Sequence, residues 1–82
     1  MKYVVYKDFE NVERVIMFNG FSIGETVEKL ELLSVVSAGI AVISCTRSTD
    51  SHVEVSCFND PHEDNYTSRL ELDAMLINNY IA

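Results

Sequence analysis

The chain has 82 residues, 48% of them hydrophobic, and its 13 acids against 6 bases give a formal charge of −7. At that length it forms one domain, residues 1–82, which hides only about 60% of the surface its unfolded form exposes, so the core is marginal unless another surface reinforces it. The hydrophobic share excludes a disordered chain. The apolar runs are far shorter than the ~20 residues of a membrane span, and Met1-Lys2 leads straight into strand-like sequence, so a cytoplasmic protein without a signal peptide is expected.

Lys2 to Lys7 (KYVVYK) and Val12 to Phe18 (VERVIMF) are rich in β-branched and aromatic residues and flank the polar run Asp8-Phe9-Glu10-Asn11, the pattern of a hairpin. Neither face of the first strand is purely polar, so cover on both sides is expected. Asn19-Gly20 ends the second strand. Ser22-Ile23-Gly24-Glu25 has capping-box spacing, with Val27, Leu30 and Ile23 on one side of a short helix. Leu33 to Ser37 returns to strand, and Ile40 to Cys45 (IAVISC) reads as a central strand buried on both faces. Between them Gly39 marks a bulge, a tight bend or the close approach of another backbone. His52 to Phe58 (HVEVSCF) alternates, with Val53, Val55 and Cys57 on one face.

Asn59 to Asn65 is the clearest loop. Beyond it Tyr66 to Leu72 alternates as a strand would, although Ser68-Arg69-Leu70-Glu71 also has capping-box spacing. The preferred reading is a short strand to Leu72, with Asp73 capping a helix from Ala74 to Tyr80. The expected fold is α+β: a single small domain with a mixed, mainly antiparallel β-sheet and two short helices on one face.

Charge is unevenly placed. Up to Arg47 the acids and bases nearly cancel, whereas from residue 48 onward Asp50, Glu54, Asp60, Glu63, Asp64, Glu71 and Asp73 face Arg69 alone. With no basic run to displace counterions from phosphates, direct nucleic-acid binding is not expected. The negative half would steer the domain to a basic protein surface, or would simply keep a small apolar domain in solution. Cys45 and Cys57 lie in adjacent strands; a short loop offsets them along the sheet, which favours two buried free thiols over a disulfide.

Asp50, His52, Asp60, His62, Glu63 and Asp64 gather both histidines and four carboxylates around two loops. Their spacing matches no metal motif, so the expectation is no metal and no cofactor. Ser44, Cys45 and Cys57 are candidate nucleophiles with His52 or His62 as base, but no nucleophile elbow surrounds them, and no catalytic residue is assigned. Glycines at 20, 24 and 39 form no phosphate cradle. Scattered donors such as Arg14, Thr46, Arg47 and Arg69, with Tyr3, Tyr6, Tyr66 and Tyr80 for stacking, could build a nucleotide groove only in an oligomer. Phe9, Met17, Phe18, Phe21 and Ile23 crowd the region from the hairpin to the first helix; together with the small core they favour a homo-oligomer or a docking face.

The segment VVSAGI (Val35 to Ile40), the Cys57-Phe58 pair, SRLEL (Ser68 to Leu72) and the closing apolar helix resemble small uncharacterised bacteriophage and prophage proteins, in which Phe is expected where this chain has Ile40. The resemblance covers about half the chain and brings no catalytic residues. It implies a bacterial host cytoplasm and a protein that binds and disables a host component, one of defence included. On this reading Asp50, Glu54, Asp60, His62, Glu63 and Asp64 form an acidic partner-binding surface for a basic host protein. A nucleotide-sequestering oligomer and a structural homo-oligomer are the alternatives.

Overall fold

The computed structural model describes residues 1–46 and 52–81. Four strands, β1 (Lys2–Lys7), β2 (Glu13–Phe18), β3 (Val35–Thr46) and β4 (His52–Phe58), form one sheet in the order β2-β1-β3-β4, and every neighbouring pair is antiparallel. Two helices, α1 (Ile23–Lys29) and α2 (Glu71–Ile81), complete a single α+β domain.

The alternation of β1 decides the layering. Tyr3 and Val5 point to one face, where they pack with Val15, Ala41, Cys57 and Ile77 of α2; Val4 points to the other, against Ala38 and Ile23 of α1. The helices therefore cover opposite faces of the sheet, not one. The double cover explains why KYVVYK has no polar face.

The hairpin turn is organised by Asp8, whose Oδ1 accepts from the backbone N–H groups of Glu10 and Val12 and whose Oδ2 takes Arg14 Nε at 3.0 Å. Asn11 supplies the left-handed residue the turn needs. Ser22 caps α1 by accepting Glu25 N–H at 3.1 Å. The Gly24 N–H is taken by Glu63 Oε1, reaching across from the distant acidic loop at 3.3 Å. At the other end Leu32 N–H bonds Val27 O and Glu31 N–H bonds Glu28 O, a Schellman closure whose Val27 and Leu32 both pack against the Val4, Ile23 and Ala38 cluster. Its left-handed position is filled by Glu31, at φ 52°, where glycine is usual.

Val35 to Ser37 and Ile40 to Cys45 belong to one strand, β3, not two, and Leu33 and Ser34 lie ahead of it. Gly39 passes through it because the backbone of β4 comes close: a Cβ there would sit 2.3 Å from Phe58 O. That is the close approach anticipated among the three readings of this glycine. The irregularity falls elsewhere, where the β1 register skips Val36 between the Val5–Ser37 and Tyr6–Val35 pairs. Cys57 pairs with Ala41 and Cys45 with Val53, so the cysteines are offset by four residues along the strands.

The central-strand reading of Ile40 to Cys45 fails at its far half. β1 accompanies β3 only to Ile40, and Met1 adds backbone bonds to Ala41. From Val42 to Thr46 the only neighbour among the described residues is β4, so β3 and β4 leave the body as a two-stranded arm about 17 Å long at ~3.3 Å per residue. Val42 and Ile43 are accordingly exposed. The arm gives the molecule its elongated 42 × 30 × 20 Å outline.

No strand forms between Tyr66 and Leu72; the segment makes a single backbone–backbone bond to the sheet, Ala38 N–H to Thr67 O. The helix begins at Glu71, three residues before the expected start. Asp73 lies in its first turn and caps it from inside, its Oδ2 accepting Arg69 N–H at 2.9 Å. Strand alternation was misleading here because Ser68 and Leu70 serve a tight turn: Ser68 Oγ accepts Leu70 N–H, and Leu70 adopts φ 36°.

Candidate interaction surface

The acidic residues singled out in the sequence divide sharply. Asp60 is buried; its Oδ1 accepts His62 N–H at 3.0 Å, and its Oδ2 lies 3.7 Å from Lys2 Nζ. Glu63 is half-buried and spends an oxygen on α1. These two carboxylates hold the loop against the body. His62 and Asp64 are exposed on the same loop, and Glu54 is exposed on the face of β4 opposite α2. Asp50 lies outside the described residues. Among the described residues, no three His, Cys, Asp or Glu side chains converge as a metal site.

Four of the six bases are also engaged inside the molecule. Lys2 faces Asp60, Arg14 binds Asp8, Arg69 binds both Glu13 and Asp73, and Lys29 lies 4.2 Å from the centre of the Phe21 ring. Arg14 and Arg69, candidate anion donors in the sequence, are thus occupied by carboxylates, while Arg47 is outside the described residues.

The most chemically suggestive cluster is internal, and sequence reasoning missed it. Asp73, fully buried, receives four donors: Ser37 Oγ and Arg69 Nε at 2.9 Å on Oδ1, Tyr3 OH at 2.7 Å and Arg69 N–H at 2.9 Å on Oδ2. Tyr3 OH also meets Ser68 Oγ, and the Arg69 fork reaches Glu13 at 2.7 Å. Burial, reinforced by the Asp73 charge, pushes the Tyr3 phenol far above its usual pKa, and burial raises the Cys57 thiol as well. Tyr3, Ser37, Ser68 and Asp73 are all buried and mutually satisfied, so the cluster gives a substrate no access. It ties α2 to β1, β2 and β3. The available signal was weak: an i, i+4 Arg69–Asp73 pair beginning at SRLEL.

The exposed apolar side chains carry the outward information. Phe9, at the hairpin turn, and Leu33, ahead of β3, are 109% and 95% exposed, and both line one shallow groove of about 390 Å³ with Tyr6, Lys7, Asp8 and Glu31. Of the aromatic crowd noted in the sequence, Ile23 is buried and Met17 and Phe18 half-buried, while Phe9 and Phe21 remain outside. Strand-like sequence places Leu33 at the start of a strand, which hides its exposure. It falls instead between the left-handed Glu31 and the first paired residue, Val35, where nothing covers it. No described helix is long and apolar enough to cross a membrane. Compared with protein-family models, curated proteins and solved structures, the chain matches none of them.

Proposed function

We propose that this protein is a non-enzymatic binding protein of the phage accessory type, which inhibits a bacterial host protein by docking on it. The observation that carries the reading is the Phe9–Leu33 pair. Two large apolar groups held almost fully in water on one groove are costly to solubility and suit the anchor of an interface. Around them Glu10 and Glu31 are exposed beside Lys7, and three of the other cations, Lys2, Arg14 and Arg69, are engaged with carboxylates. The outward field is negative, which favours a partner with a basic rim around an apolar pocket. Asp64 adds to that charge from the loop; Asp60 and Glu63 act within the fold.

The test is capture of a host protein from bacterial lysate by the wild type and by a Phe9→Ser/Leu33→Ser double variant. The reading expects one stoichiometric, salt-sensitive complex, weakened at least a hundredfold in the double variant and about tenfold in Glu10→Lys/Glu31→Lys, in line with hot-spot losses of ~2–4 kcal/mol. Binding that is unchanged in both variants would contradict it.

A further inference from the structure

The arm presents a second interaction surface, at the opposite end of the sheet from Phe9 and Leu33. β3 runs antiparallel to β1, so the hairpin turn lies beside the start of β3 and the arm extends from its other end. Along Val42 to Thr46 the β3 edge that β1 occupies in the body has no neighbour among the described residues. Open edges invite another strand, and proteins usually guard them with charge, proline or a bulge. This one has no such guard: from Val35 to Thr46, VVSAGIAVISCT, there is neither a charge nor a proline, and the bulge lies at the other end of the strand. A lone two-stranded ribbon is also marginal in water, whereas four strands are not.

We infer that the occupant of this edge is a second copy of the chain, with β3 pairing antiparallel to β3 about a two-fold axis at Ser44. Three observations converge on a copy rather than a foreign strand. The open stretch is five residues long and symmetric about Ser44, so Val42 stands opposite Thr46, Ile43 opposite Cys45 and Ser44 opposite itself, with every face matched. The stretch is bounded by Met1 on Ala41, so two copies fill each other's vacancy without displacing β1. In a molecule of net charge −7 the uncharged edge is where a second copy approaches with least repulsion, whereas β4 carries Glu54 on the other side of the arm. The pairing is isologous and closes at two, giving a four-stranded sheet β4-β3-β3-β4 through the joined arms. The two Phe9–Leu33 ends then point away from each other, and the dimer is bivalent.

Sedimentation and light scattering from low micromolar to submillimolar concentration test this on the full chain. The expected mass moves from 9.3 kDa toward twice that value. Ser44 is exposed and stands opposite Glu54 across the β3–β4 ladder, so the cost of Ser44→Glu to the monomer is read from thermal unfolding in dilute solution, while the like charges it sets across the axis should weaken dimerisation at least tenfold beyond that cost; Ser44→Thr should do neither. In a Cys45→Ala background, oxidised Ser44→Cys should give an interchain disulfide through position 44 alone. A mass of 9.3 kDa throughout, or a dimer indifferent to Ser44→Glu, overturns the inference.

Discussion

The body of the sheet and its arm are made from the same two central strands, yet they are stabilised in different ways. In the body β3 lies between β1 and β4, with α1 on one face and α2 on the other, and the buried Asp73 receives donors from three directions. Over its last five residues β3 has β4 alone among the described residues, and Val42 and Ile43 are partly open to water. Small size is therefore not a uniform weakness. The chain concentrates its hydrogen bonds and apolar contacts in the body, and two ends, one apolar and one an unpaired strand edge among the described residues, are less covered.

Asp73→Ala should sharpen this contrast most. It strips four donors of their acceptor and leaves the Arg69 guanidinium half-paired, at a cost of about 3–5 kcal/mol in denaturant unfolding. Val42→Ala, in the arm, should stay within about 0.5 kcal/mol, as exposed substitutions do. Comparable losses at the two positions would break the comparison. Smaller and of opposite sign is Glu31→Gly: relieving a left-handed non-glycine at the α1 Schellman closure should stabilise by about 1 kcal/mol, read as a raised midpoint with unchanged denaturant slope.

The smallest effect follows pH. The Arg69 fork holds the Glu13 carboxyl below its usual range. Its folded value lies below its unfolded one, so its contribution is fully present above the ordinary glutamate range and disappears as pH falls through the depressed value. Glu13→Gln should flatten part of the acid limb of the stability profile. A variant with the wild-type limb would mean that the pair adds nothing to the attachment of α2 to β2.

Much of this architecture was legible in the sequence. Alternation located β1, β2 and β4 to within a few residues and β3 as two pieces, Ser22 marked the start of α1, and the close approach of β4 was one of three readings of Gly39. What escaped was set by distant partners. KYVVYK implied cover on both faces, but which helix lies on which face depends on long-range packing of Ile23 and Ile77. Tyr66 to Leu72 alternates like a strand, yet Ser68 and Asp73 are drawn to Tyr3, some 65 and 70 residues away in the chain, and the segment turns into a helix instead. The acidic run 60–64 looked uniformly outward because composition does not show that Lys2 and Gly24 recruit two of its carboxylates.

Amide hydrogen exchange as a function of protein concentration tests the division between body and arm most directly. The account predicts that Val4, Val5 and Ala38 are protected at every concentration, while residues 42–46 of β3 exchange rapidly in dilute solution and gain protection as the mass doubles. Arm amides as protected as those of the body in a solution of 9.3 kDa monomer would contradict it.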